Sequence, residues 1–214
     1  MTSKENVVDS VVKHVISKYR DPLIQGLLKE YFDQNEAARV YLRVAKEEGW
    51  TPIIDHITIR CHHVDRKALE FLKIGYQYKD EFIEYPDQGW WAKVYRKKDY
   101  PALFVDQAYD DDRGKSSLLP DWVKTFGDHI LHHIAVRVTD IEAAIVAMKA
   151  KQIQFAGQIV GACGSRLRQI FTAAEVRQGK AYSVLELTER NHYDGFVPEQ
   201  ADSLMQSSVE KRSA

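Results

Sequence analysis

Cysteine is scarce. The 214 residues hold two, Cys61 and Cys163, and nothing in their spacing suggests a bridge. A disulfide-stapled scaffold is therefore excluded, and the simplest expectation is a reduced, cytoplasmic protein. Long hydrophobic runs are also missing. No stretch approaches the roughly 18 apolar residues of a membrane-spanning helix. The opening Met1-Thr2-Ser3-Lys4-Glu5-Asn6 runs on to Asp9 without an apolar signal core. Charge of one sign is lacking too. The net charge of −1 points to neither nucleic acid nor an anionic membrane as a partner. What remains is the composition of an ordinary soluble protein, 44% hydrophobic and 29% charged. The length suits one large domain, or two small modules around a shared core.

What the chain does contain is a repeat. Asp55-His56-Ile57-Thr58-Ile59-Arg60 matches His132-His133-Ile134-Ala135-Val136-Arg137, with an offset of 77 (133 − 56). A helix-like run and further strand-like runs follow each copy. The second copy ends in Val184-Leu185-Glu186-Leu187, a strand carrying a carboxylate. Two histidines and a carboxylate brought together by a duplicated fold would form a facial triad for a divalent metal, with three coordination positions left open.

Apolar periodicity divides the chain. Residues 1–50 read as a helical cap. One helix is carried by Val7, Val8, Val11, Val12, Val15 and Ile16 and interrupted at Pro22. A second covers Leu23 to Phe32, and a third Glu36 to Glu48. Residues 51–109 read as a βαβββ module, 110–129 as an acidic linker, 130–197 as a second βαβββ module, and 198–214 as a polar tail that frays from Ser207. The predicted class is α+β: paired modules forming one curved mixed-sheet cup, with the helical segment packed outside.

Side chains alternate along a strand. His56, Thr58 and Arg60 therefore share one face of the first strand, with Ile57 and Ile59 on the other. His133, Ala135 and Arg137 form the matching face. Glu186 would be costly in a core unless paired or metal-bound. His132 is expected on the helix side or at a loop edge, although a one-residue slip would exchange it with His133. Arg60 suits either a substrate carboxylate or a structural ion pair. Gln169 either faces the pocket or pairs across the sheet. Arg166 and Arg168 are equally open.

These features resemble the vicinal-oxygen-chelate superfamily. Arg168-Gln169-Ile170-Phe171-Thr172, followed by Leu185-Glu186-Leu187-Thr188-Glu189-Arg190, resembles the end of the 4-hydroxyphenylpyruvate dioxygenase pattern. Residues 25 to 195 are more similar to the 2-oxoadipate dioxygenase/decarboxylase family, also called hydroxyglutarate synthase. The similarity lies in the helical N-terminal segment, Asp55-His56…Arg60, and Phe104-Val105-Asp106-Gln107, where Asp106-Gln107 stands in place of a Ser-Glu pair. The resemblance implies that His56, His133 and Glu186 bind metal and that Arg60 pairs with a substrate carboxylate. Thr58 and Arg168 are further candidates for substrate binding, and Gln169 joins Arg60 as a candidate catalytic residue.

The expected function is thus a metal-dependent dioxygenase/decarboxylase acting on a 2-oxo acid such as 2-oxoadipate with O2. Fe(II) is the first choice of metal, with Zn, Ni or Mn as alternatives, and no organic cofactor is needed. A second reading is a glyoxalase-type lyase or isomerase using Zn or Ni, which usually draws a fourth ligand from the last strand of the first module, at Asp106 or a neighbour. A third is a metal-free small-molecule binding protein.

Overall fold

The computed structural model describes residues 2–197 and, beyond them, Gln200, Leu204, Met205 and Ser207, with side chains from Val8 onward. Three helices open the chain: α1 (Thr2–Ser17), α2 (Pro22–Gln34) and α3 (Glu36–Glu47). Local chemistry sets their limits. Asp21 caps α2 by accepting from the Leu23 N–H at 2.9 Å, with Pro22 in the first turn. Asn35 ends α2 and caps α3, accepting from the Ala38 N–H at 2.9 Å. Its amide also donates to Ser183 Oγ at 3.0 Å, tying the helical segment to the last long strand.

The first module runs β1 (Ile53–Arg60), α4 (Val64–Lys73), β2 (Gln77–Tyr85), β3 (Trp90–Arg96) and β4 (Ala102–Ala108). After α5 (Leu119–Phe126), the second runs β5 (Ile130–Val138), α6 (Ile141–Lys149), β6 (Phe155–Val160), β7 (Leu167–Thr172), β8 (Glu175–Arg177) and β9 (Lys180–Arg190). The strand order is β2-β3-β4-β1-β5-β9-β7-β6, with β8 paired to β9. β1 and β5 meet antiparallel at the centre, while β4 runs parallel to β1 and β9 parallel to β5. The two modules are thus joined edge to edge, about a pseudo-twofold, into one curved mixed sheet.

The outer face of this sheet is apolar. Ile57, Ile59, Leu103, Ile134, Leu185 and Leu187 are fully buried there in one cluster with Phe32, Leu42, Phe71 and Met148 of the helices. The hydrophobic effect therefore commits this face to the helices and leaves the polar face to line the cup.

The predicted architecture matches, with corrections. The expected linker 110–129 contains α5, where Leu119, Trp122 and Val123 are buried. Strand β8 was not predicted, and β9 extends two residues beyond the expected Tyr182–Thr188 at each end. The proposed tail from 198 lies mostly outside the described residues, but Leu204, Met205 and Ser207 of that stretch are buried. Among the described residues, no helix is long and apolar enough to cross a membrane.

Candidate metal centre

Strands β1, β5 and β9 bring His56, His133 and Glu186 together. Ligand-type atoms of these three lie within 4.8 Å of one another. His56 Nε2 stands 3.2 Å and His133 Nε2 3.4 Å from the same oxygen, Glu186 Oε2. Both imidazoles therefore present the same nitrogen to one point, as a shared cation requires. Two nitrogens and a carboxylate oxygen form a borderline-hard donor set suited to Fe, Zn, Mn or Ni.

Each ligand is held from behind. Glu186 Oε1 accepts from Gln169 Nε2 at 2.5 Å and from Thr188 Oγ1 at 2.7 Å, which leaves Oε2 for the histidines. His56 Nδ1 lies 3.0 Å from Asp55 Oδ2. Asp55 is itself clamped by Arg190 at 2.7 Å and Arg137 at 2.9 Å. Behind His133, its Nδ1 lies 2.8 Å from His132 Nδ1; Thr58 Oγ1 is 2.9 Å from the opposite, metal-facing Nε2. Such supports orient ligands and raise their affinity for metal. Gln169→Leu is expected to keep the fold and weaken metal binding by ~10–100-fold, because Glu186 Oε1 would keep only one of its two donors, Thr188; equilibrium titration of the metal-free protein with Co2+ checks this.

The electrostatics follow from the packing. Burial alone would lower the His56 pKa, but Glu186 and Asp55 outweigh it and raise it to about 9. Burial opposes the Glu186 charge, yet the two histidines hold its pKa well below the usual carboxylate range. His133, desolvated and only partly compensated by Glu186, is lowered to about 4. Without metal, then, His56 carries the positive charge that balances Glu186.

A cavity opens beside the three ligands, lined by aromatic side chains including Phe104, Phe171, Trp90 and Phe196 and by Leu204 and Met205. Its polar far end is formed by Arg60 and Asp106, which face one another across the parallel β1–β4 pair. Arg60 is only 1% exposed and, among the described residues, makes no ion pair. Its guanidinium lies over Trp122 at 5.0 Å and donates to Met205 Sδ at 3.2 Å, and its Nε has no partner among the described residues. Asp106 Oδ1 is buried and, among the same residues, unpartnered as well. Desolvation raises the Asp106 pKa to about 7, against the opposing pull of Arg60 and His56. Desolvation likewise lowers Arg60 to about 10.

The remaining predicted residues divide. Gln169 and Thr58 line the cavity, and both touch metal-ligand candidates. Arg168 does not: alternation along β7 sends it to the helix side, where it pairs with Glu142 and Glu189. Its expected contact with substrate is corrected to an ion pair between sheet and α6. His132 was expected on the helix side or at a loop edge, but it is buried on the cup side beside His133. Trp122, inside the segment 110–129 expected as linker, is a site residue that the sequence analysis does not name. The helical spacing of Leu119, Trp122, Val123 and Phe126 after Ser117 was the available signal.

No family profile matches the sequence, and no curated protein matches it. Solved structures do. Hydroxyglutarate synthase from Oryza sativa, in complex with 2-oxoadipate, superimposes with a TM-score of 0.68 at 17% identity, over 94% of this chain and 93% of that one. A glyoxalase superfamily protein from Ralstonia eutropha JMP134 gives 0.62 at 14% identity, over 80% and 83%. 4-Hydroxymandelate synthase from Streptomyces coelicolor gives 0.58 at 16% identity, over 74% of this chain and 54% of that one. The chain has the vicinal-oxygen-chelate fold.

Within the vicinal-oxygen-chelate arrangement, the repeat locates the position equivalent to Glu186. Ala135 faces Glu186 across β5–β9, and its counterpart Thr58 (135 − 77) faces Phe104 across β1–β4. The place of a fourth ligand is therefore held by a phenyl ring, 5.0 Å from the His56 ring. Asp106 lies two residues farther along β4 and is not in the three-residue cluster. The fourth-ligand position that the lyase alternative would draw on is thus occupied by Phe104 and not by Asp106.

Proposed function

We propose that this protein is a mononuclear Fe(II)-dependent dioxygenase/decarboxylase of a 2-oxo acid whose far end carries a second carboxylate. The observation that carries this reading is the buried guanidinium of Arg60, which among the described residues lacks a carboxylate partner and faces the cavity that contains the three-ligand site. Burying such a charge without an anion is costly. A substrate carboxylate would supply the partner, and Arg can meet it with a bidentate fork. Phe104 in place of a fourth ligand favours a centre with open positions over the four-ligand lyase alternative.

His56, His133 and Glu186 would hold the metal. Bound Fe(II) would supply the open positions and the electron that oxidative decarboxylation by O2 requires. Gln169 and Thr188 keep Glu186 Oε2 aimed at the site. Phe104, Phe171 and Phe196 exclude water around the reacting end of the acid. Arg60 and Asp106 receive the other end, and Trp122 backs the guanidinium.

Protein reconstituted with Fe(II) under argon is expected to consume O2 when given 2-oxoadipate or its neighbours in chain length, releasing one CO2 per O2. Simultaneous oxygen-electrode and CO2 measurements test this. No uptake above background with any 2-oxo dicarboxylate of four to seven carbons would reject it, and metal analysis of protein purified without chelators separates that failure from an empty site.

A further inference from the structure

We propose that His132 is a positioning residue of the metal centre: its Nδ1 accepts the Nδ1–H of His133 and so keeps the His133 Nε2 lone pair directed at the metal. This rests on the metal-centre reading above and adds a residue to it.

The argument begins with two irregularities in the β1–β5 ladder. Ile54 and His56 face the consecutive residues Val136 and Ala135, which leaves Asp55 as an extra residue in β1. Thr58 and Ile59 face His133 and Leu131, which leaves His132 as an extra residue in β5. Bulges of this kind re-aim side chains. The two extra residues are counterparts in the repeat (132 − 55 = 77), and each immediately precedes a metal-ligand candidate. Both turn towards the histidine that follows. Asp55 Oδ2 is 3.0 Å from His56 Nδ1, and His132 Nδ1 is 2.8 Å from His133 Nδ1.

Proton bookkeeping at the second pair is restrictive. A neutral imidazole has one N–H and one lone pair. If His133 Nε2 offers its lone pair to a metal, its proton sits on Nδ1. Two facing nitrogens at 2.8 Å need one proton between them, so His132 Nδ1 must be the acceptor and its own proton lies on Nε2. The His132 ring is steadied edge-on against Trp122, with centroids 5.5 Å apart. Its 3% exposure shows that this imidazole is kept in the interior. The duplicated site thus uses one bulge twice, with a carboxylate behind one ligand and an imidazole behind the other.

Asparagine and leucine at position 132 have similar shapes, but only the former offers an acceptor near the place of Nδ1. Metal-free wild type, H132N and H132L are titrated with Co2+, following both affinity and the visible absorption of the bound ion, and their metal-free melting temperatures are compared. H132L is expected to bind Co2+ ~10–100-fold more weakly, with an altered spectrum. H132N is expected to recover most of the affinity at a similar melting temperature. Equal affinity and spectrum for H132L and wild type overturn the proposal. So does equal weakening of H132N and H132L with a shared loss of melting temperature, which assigns His132 to packing. A wild type that binds no Co2+ overturns the metal centre itself and this proposal with it, whereas failed O2 uptake by metal-loaded protein leaves only the assigned reaction rejected.

Discussion

Glu186→Gln protein is expected to fold and yet to bind divalent metal more than ~100-fold more weakly than wild type, a loss beyond what removal of an outer partner alone brings. Glutamine has nearly the shape of glutamate and can keep a hydrogen bond to Thr188. It cannot supply the anionic oxygen at which His56 and His133 converge, 3.2 and 3.4 Å away. The fold should tolerate the change for an electrostatic reason. Without metal, Glu186 is balanced by His56, whose pKa the carboxylates raise to about 9. Loss of one carboxylate lowers that pKa, and His56 can become neutral rather than remain an uncompensated buried cation. Metal content after gel filtration, together with the metal-free melting temperature, checks both halves. Stoichiometric metal in Glu186→Gln would sink the three-ligand centre.

The second large effect is expected at the other end of the cavity, and it depends on pH. Asp106 has a pKa of about 7, raised by burial despite the charges of Arg60 and His56 nearby. Below pH 7 its carboxyl is protonated and can donate to a substrate carboxylate that Arg60 also binds. Above pH 7 it becomes an anion and repels that carboxylate. Affinity for a 2-oxo dicarboxylate should therefore fall with rising pH, approaching about tenfold per unit above pH 7, since one pKa unit corresponds to a tenfold change. Asp106→Asn should bind with little change across the same range. Arg60→Ala should raise KM strongly at every pH while leaving thermal stability nearly unchanged, because the guanidinium makes no ion pair with any described residue. Arg60→Lys should rescue little, since an ammonium lacks the planar fork.

The same shift fixes the sign of a stability effect. Between the ordinary aspartate value of 3.8 and about 7, the folded Asp106 holds a proton that the unfolded chain has released. Stability of the substrate-free protein consequently declines as pH rises through that window, and the penalty is complete above it. Asp106→Asn should melt higher than wild type at pH 8. A large stability loss in Arg60→Ala, with turnover intact, would instead make Arg60 a structural residue.

Most of the fold was legible because it is periodic. Valines at helical spacing, strands with alternating isoleucines, and a 77-residue repeat each follow from local rules, and each appears where those rules place it. Helix α5 was hidden by an acidic, serine-containing approach that resembles a loop, and its packing is decided by the distant Tyr182, whose carbonyl accepts from Trp122 Nε1 at 2.9 Å. Strand β8 is a three-residue hairpin arm, too short to carry a period.

For the site, the sequence by itself determined which side chains are available and which face each strand offers: His56, Thr58 and Arg60 together, His133 in the matching copy, and Glu186 on the closing strand. Alternation along a strand is a local property, so it can be read without a structure. Only the tertiary structure decided how the copies meet. The antiparallel β1–β5 seam and its two bulges turned His132 inward beside His133, where strict alternation would have sent it to the helices. The parallel registers placed Phe104, not Asp106, in the position equivalent to Glu186, and set Asp106 against Arg60. Pairing register and bulges depend on contacts between residues far apart in the chain, and a one-residue change in either exchanges the two faces of a strand.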